Sequence, residues 1–183
     1  MSNDTKTEAA LSSDAAEVRA QKLAILREKM SEEEFQSRVL TWAMENDRLK
    51  AGMALSQSRI SKLGELPELM GFLLKSDLNL DPSAFAKIKS PPEEILEILN
   101  TVQPDLEKIL EWNVESIEAE LRAIGDRMGK KLKVIVSPLF VAMSGSQRSL
   151  PLFDSMALLG RSVVRQRLKL ASQAVASLVG PKN

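Results

Sequence analysis

Basic side chains concentrate near the C-terminus in a pattern that could bind phosphates. They are predicted to share one loop and one helix beside a Gly-Ser turn: Arg148, Arg161, Arg165, Arg167 and Lys169. Such a cluster can contact several phosphates of a polyanion together. A solvated surface helix explains the spacing equally well, because only Phe140 and Phe153 lie nearby and both are better core residues than stacking platforms. The spacing alone leaves both interpretations open.

Charge is divided unevenly along the 183 residues, although 25 basic and 25 acidic side chains balance overall. Residues 1–125 hold 15 basic and 23 acidic side chains, a difference of −8, whereas residues 126–183 hold 10 basic and 2 acidic ones, a difference of +8. This asymmetry predicts that the last third of the chain faces a polyanion and that the front part does not.

Acidic side chains cluster in the front part, at Glu93, Glu94 and Glu97 and again at Glu115, Glu118 and Glu120. They fall at predicted helix starts or on outer faces, where carboxylates complement the helix dipole, so solvated surfaces explain them better than acid–base or metal sites. The acidic face from Glu93 to Glu120 nevertheless supports an alternative function, a helical adaptor that docks a protein.

Much enzyme chemistry is excluded by composition. With 0 His and 0 Cys there is no imidazole base, no thiolate nucleophile and no zinc ligand of either type. The tripeptide Lys29-Met30-Ser31 could contact a triphosphate, but three Glu residues follow it, and a capping box of Ser31 with Glu34 explains it better. We expect no catalytic residue, no cofactor and no metal.

The elements that position these side chains are predicted to be helices. Capping residues or prolines mark the predicted helix starts, namely Ser31, Asp81-Pro82, Ser90-Pro91, Pro104, Asn113 and Ser162. Gly129 stands where a left-handed C-terminal cap is expected, and Gly160 is expected to end a short helix that begins at Pro151. Residues 133–143 are rich in β-branched side chains, but no second strand exists to pair with them, so we predict a helix with Pro138 near one end. The fold class is therefore all-α.

Several separated segments form a recognisable pattern. In order they are Arg59-Ile-Ser-Lys-Leu-Gly-Glu-Leu-Pro-Glu-Leu with Phe72, Leu110-Glu-Trp112, Gly129-Lys-Lys-Leu, Pro138-Leu-Phe-Val-Ala-Met-Ser-Gly-Ser, and Pro151-Leu-Phe-Asp with Leu158-Leu-Gly160. Together they resemble the anticodon-binding region of bacterial glutamyl-tRNA synthetase, a class I enzyme. The similarity covers about Glu32 to Leu178, and its order and spacing make it more specific than any single motif.

The resemblance implies two packed helical subdomains that bind the anticodon stem-loop of glutamate tRNA. Residues 1–30 would be a mobile tail with a marginal helix, residues 31–103 the first subdomain, and residues 104–183 the second, basic one. It also implies a free-standing, non-catalytic module, because the family's catalytic half carries a His-Ile-Gly-His motif that a chain without His cannot contain. Ligase activity would then need a catalytic synthetase partner in trans.

The resemblance also assigns roles to single residues. Arg59 falls at the third anticodon base, where a guanidinium can donate paired hydrogen bonds to a base edge. Ser149 and Leu152 fall at the middle base, and Arg148 is placed to compensate for Phe140, which stands where many relatives have Arg. The tRNA backbone contacts are expected from Arg161, Arg165, Arg167 and Lys169.

A cytoplasmic location is expected. Residues 1–20 carry four acidic side chains and no continuous apolar run of the kind that a secretory signal needs. The stretch from Val134 to Met143 is about half the length of a membrane span, roughly 20 residues, so we expect no membrane association.

Overall fold

The computed structural model describes residues 17, 18, 20, 21 and 24 and residues 31–75, 78–146 and 149–179. In these residues every regular element is helical, which confirms the predicted fold class. The α-helices are α1 (Glu32–Ser56), α2 (Leu66–Met70), α3 (Pro82–Ala86), α4 (Pro92–Leu106), α5 (Val114–Arg127), α6 (Leu132–Ser144), α7 (Leu152–Leu159) and α8 (Arg161–Val179), with 3-10 turns at Leu63–Glu65 and Gly71–Leu73. Most of the predicted N-terminal tail lies outside the described residues.

Local capping determines several of these helix starts. The side chain of Asp81 accepts a 2.8 Å hydrogen bond from the backbone N–H of Ser83, and that of Asn113 accepts one of 2.8 Å from Ser116. Ser31 likewise accepts a hydrogen bond of 3.2 Å from the N–H of Glu34. These three predicted caps are confirmed, and each satisfies an N–H that the helix itself leaves unpaired.

Other predicted starts are corrected by the structure. Pro91 occupies the N-cap of α4, and the side chain of Ser90 bonds to the carboxylate of Glu94 instead of capping the helix. α8 begins at Arg161, one residue before the predicted cap Ser162. Gly160 is the C-cap of α7, as predicted, and its φ of 79° is a positive angle that favours glycine.

Two prolines lie deeper inside helices than the sequence predicts. Pro104 does not open a new helix but lies within α4, where Val102 and Leu106 are both buried. Pro138 lies in the middle of α6, between the fully buried Ile135 and Leu139. An interior proline costs about 3 kcal/mol of helix stability, so burial of these neighbours must offset it.

The chain divides into two compact units, Met1–Asn46 and Asp47–Asn183. Within the second unit α8 packs against α3, α4, α6 and α7, and α5 packs against α4, α6 and α7. Their facing side chains form one apolar core that includes Phe85, Ile98, Leu121, Leu139 and Leu168.

The subdomain boundary predicted between residues 103 and 104 falls inside α4. No helix in the described ranges is long and apolar enough to cross a bilayer.

Candidate nucleic-acid interface

The exposed face of α8 carries cations and no acidic side chain. Arg165 and Lys169 are exposed one turn apart, with Gln166 and Gln173 beside them. The Nε atom of Arg165 lies 3.8 Å from a carboxylate oxygen of Glu107, which makes a loose surface ion pair. In the part of the chain that the structure describes, no carboxylate pairs with Lys169. Both side chains are therefore exposed to solvent, and the phosphate contacts predicted for them stay predictions.

Arg167 does not belong to this face, so its predicted contact with the tRNA backbone is wrong. Its side chain is 1% exposed and donates hydrogen bonds to the carbonyl oxygens of Met143, Phe72 and Lys75, the last two at 2.8 Å. The guanidinium also lies 6.0 Å from the centroid of the Phe72 ring. The sequence contained a signal for this burial, because Arg167 shares the apolar stripe of Val164, Leu168, Ala171 and Val175.

Burial also sets the protonation behaviour of Arg167. Desolvation, together with the charge of Arg48, lowers its pKa to about 10. The side chain therefore stays charged at neutral pH and holds three carbonyl oxygens without a carboxylate among the described residues. A phosphate in solvent cannot reach this group.

Arg161 is half-buried and is already engaged. It donates hydrogen bonds to the carbonyl oxygens of Glu107 (2.9 Å), Ile109 and Leu110 (3.4 Å), just beyond the C-terminus of α4. Its guanidinium carbon lies 5.3 Å from the Trp112 ring centroid, within cation–π range. These contacts hold the loop after α4 in place. Because they already occupy the guanidinium, they leave less of Arg161 available for the contact with the tRNA backbone that the sequence predicts.

A third arginine has a comparable role that sequence reasoning missed. Arg48 donates hydrogen bonds of 3.1 Å from Nε and Nη2 to the carbonyl oxygens of Leu158 and Leu159, at the C-terminal end of α7. Cations are favoured at helix C-termini, where the last carbonyl groups lack intrahelical partners. The acceptors lie 110 and 111 residues away in sequence, so spacing offered no signal for this contact.

Ser149 and Leu152 are mostly enclosed by protein. Their exposed fractions are 8% and 4%, and Leu152 belongs to the apolar core. Neither side chain offers enough surface to read a base, so the structure does not support the middle-base contact predicted through them. Arg148 lies outside the described residues, and its predicted contact stays a prediction.

Arg59 lies just beyond the C-terminus of α1, in a small open cleft. The cleft measures about 100 Å³ and is lined by Arg59, Ile60, Glu65, Glu68 and Leu69. Arg59 is exposed, and no hydrogen bond or ion pair engages its side chain in the described ranges. Its donors are free to bind a ligand, as the prediction for this residue requires.

The acidic face of α4 and α5 is partly neutralised by cations of the same chain. Lys130 lies 2.5 Å from Glu94, Arg122 2.5 Å from Glu118, and Arg127 3.1 Å from Glu120. The hydrogen bond from Lys130 holds the pKa of Glu94 below its usual value of 4.5. These pairs reduce the net negative charge of the surface on which the adaptor alternative depends. No group of acidic side chains in the described ranges has the arrangement of a metal site.

Comparison with known proteins adds a family assignment to this geometry. The family model described as the anticodon binding domain matches residues 19–172. A glutamate–tRNA ligase from Rhizobium johnstonii is 87% identical over 157 residues, which cover 86% of this chain and 32% of that protein. The corresponding ligase from Cellvibrio japonicus is 33% identical over 150 residues, 82% of this chain and 30% of that protein. The chain therefore spans about a third of the length of these relatives.

A solved structure shares the fold. The crystal structure of a glutamate tRNA ligase from Elizabethkingia meningosepticum, in complex with its amino acid, matches with a TM-score of 0.58 and 16% sequence identity. The match covers 73% of this chain and 29% of that one. At this identity the match supports the helical architecture alone.

Proposed function

Because the chain belongs to the anticodon-binding domain family, we propose that it binds the anticodon stem-loop of glutamate tRNA and contributes this contact to glutamyl-tRNA synthesis in the cytoplasm. The observation that carries the proposal is the match over residues 19–172 to a domain that its relatives, named glutamate–tRNA ligases, also contain.

Two surfaces of the molecule would bind different parts of the tRNA. Arg165 and Lys169 on α8 would meet phosphates, because both are exposed, α8 itself carries no acidic side chain, and the single ion pair in the described ranges, of Arg165 with Glu107, is loose. Arg59 would read the third anticodon base with its free guanidinium. Arg161 and Arg167 would contribute indirectly, by holding the loop after α4 and the buried end of α6 in place.

The chemistry of aminoacylation would come from elsewhere. The sequence has 0 His and 0 Cys, and we propose that this region binds tRNA while a catalytic synthetase region, acting in trans, activates glutamate. Pyrophosphate exchange dependent on glutamate tests this part, and turnover above background by the pure chain would overturn it.

Fluorescence anisotropy with a labelled glutamate anticodon stem-loop tests the binding itself. Dissociation constants are measured at several salt concentrations and compared with those for a stem-loop of equal length and scrambled loop sequence. We expect tighter binding of the glutamate loop and a linear decrease of log K with log salt. Equal affinity for both loops would refute anticodon recognition, and an absence of salt dependence would refute phosphate contact.

A further inference from the structure

The cleft around Arg59 combines donors and acceptors that are not paired with each other. Arg59 offers only hydrogen-bond donors, whereas the carboxylates of Glu65 and Glu68 offer only acceptors. Neither carboxylate forms an ion pair or a side-chain hydrogen bond with another described residue, and Glu65 is half-buried. The cleft therefore presents both kinds of hydrogen-bonding group to a ligand, between the apolar side chains of Ile60 and Leu69.

The size of the cleft limits the ligand. A closed cavity of about 150 Å³ accommodates benzene, so an open cleft of about 100 Å³ can take the edge of one six-membered ring but not a whole nucleotide. Apolar walls suit the faces of a planar ring, and the polar groups suit its edge.

We propose that Glu65 and Glu68 are specificity residues that accept a hydrogen bond from the exocyclic amino group of the base bound by Arg59, so that the cleft selects cytosine over uracil. This inference rests on the proposed function. Cytosine presents an amino donor beside two acceptors, N3 and O2, which match a carboxylate beside a guanidinium. Uracil has the same ring size but presents a carbonyl to the carboxylates and an N–H to Arg59, so both contacts become unfavourable.

The genetic code provides an independent check on this chemistry. Codons for glutamate begin with G, so by complementarity the third anticodon base of glutamate tRNA is cytosine. Codons for lysine begin with A and otherwise match, so the third anticodon base of lysine tRNA is uracil. A cleft that rejects uracil would therefore separate these two tRNAs, a distinction that Arg59 alone makes less well because it carries no acceptor.

The test compares two anticodon stem-loops that differ only in cytosine or uracil at the third anticodon position. Dissociation constants at one fixed salt concentration are measured for the unmodified chain and for the double variant Glu65→Gln with Glu68→Gln. We expect the unmodified chain to prefer cytosine by about tenfold. A Gln amide can donate as well as accept, so the double variant should lose most of this preference by binding the uracil loop more tightly.

A matched control separates this effect from a general loss of negative charge. The double variant Glu93→Gln with Glu111→Gln also removes two exposed carboxylates, both outside the cleft. It should tighten binding of both loops equally and keep the preference for cytosine. Circular dichroism verifies that each variant is folded, and the single variants Glu65→Gln and Glu68→Gln divide the effect between the two positions.

The outcomes distinguish this inference from the proposed function. If the unmodified chain binds both loops with the usual salt dependence but the Glu65 and Glu68 variants keep its preference, the inference fails and anticodon binding stands. If the unmodified chain binds neither loop, both fail. A preference that disappears only in the cleft variant supports the inference.

Discussion

The Nη2 atom of Arg167 donates a 2.8 Å hydrogen bond to the carbonyl oxygen of Phe72, 95 residues earlier in the chain. The same atom also bonds the carbonyl of Lys75, and Nη1 bonds that of Met143 at the end of α6. One buried cation thus joins α8 to two other backbone segments, residues 72–75 and the end of α6, whose carbonyl groups would otherwise lack these partners. A side chain that composition assigns to an RNA surface is part of the core.

The first prediction concerns stability. Replacing Arg167 with Met keeps an unbranched chain but removes the donors to three carbonyl groups, those of Met143 and Phe72 in buried contacts, so we expect a loss of about 3 kcal/mol in the free energy of unfolding. The exposed variant Arg165→Met should cost less than about 1 kcal/mol, because its ion pair with Glu107 spans 3.8 Å at the surface. Urea unfolding of both variants provides the comparison. Equal midpoints would show that Arg167 is not a structural residue.

The second prediction concerns the salt dependence of RNA binding. Replacing Arg165 and Lys169 together with Gln should flatten the slope of log K against log salt by about 0.7 to 0.9 for each phosphate that the variant no longer binds. The control variant Lys50→Gln with Lys108→Gln removes the same charge from two exposed positions outside α8, one on α1 and one in the turn after α4. Identical slopes in the two variants would mean that α8 has no special contact with phosphate.

The third prediction separates geometry from charge at Arg59. Replacing Arg59 with Lys keeps the cation but removes the planar fork, which should cost roughly 1–3 kcal/mol of binding to the glutamate anticodon and much less for an altered third base. Folding should be unaffected, since the Arg59 side chain is exposed and unpaired in the described ranges. Equal weakening of both stem-loops would identify Arg59 as a phosphate contact, and no weakening of either would remove it from the interface.

The fourth prediction concerns close backbone packing at Gly125. A Cβ atom there would lie 2.9 Å from the carbonyl oxygen of Lys130, closer than side chains approach backbone, so Gly125→Ala should destabilise the protein by about 1–3 kcal/mol. Gly71 has φ −57°, and a Cβ atom there would have no neighbour within 4 Å, so Gly71→Ala should be neutral or stabilising. Thermal unfolding of the two variants measures the contrast, which an equally stable Gly125→Ala variant would contradict.

The fifth prediction concerns acid stability. The hydrogen bond from Lys130 lowers the pKa of Glu94, and the one from Lys108 lowers the pKa of Asp105. A carboxyl with a lowered pKa in the folded state stabilises that state above its unfolded pKa and loses this contribution as the pH falls through the folded value. We expect the Tm to decrease as the pH falls below about 4.5, and to decrease less steeply in Glu94→Gln.

Thermal scans between about pH 6 and pH 3 measure this dependence. Glu93→Gln, which alters the neighbouring exposed carboxylate, serves as the control and should retain the profile of the unmodified chain. A profile of Glu94→Gln that matches the unmodified chain would show that the contact with Lys130 adds nothing to stability.

Features that depend on neighbouring residues could be predicted from the sequence. The side chains of Asp81 and Asn113 each accept a hydrogen bond from a backbone N–H two or three positions later in the chain. The capping residue and the helix start that it stabilises can therefore be recognised in the same short stretch of sequence. The absence of a second strand excluded a sheet, and the spaced motifs identified the family. The helical periodicity of α8 also places Arg167 on the apolar stripe of that helix, but the charge count grouped it with the exposed basic residues.

Which cations are free for a ligand is established only when the chain folds. Arg48, Arg161 and Arg167 bind carbonyl groups that lie 24 to 111 residues away, whereas Arg59 and Lys169 have no described partner. By composition alone, these five residues are equivalent positive charges. The carbonyl groups concerned lie at helix ends and in the loops that follow them, and only folding brings these groups to a distant arginine, so no local pattern could separate the structural cations from the free ones.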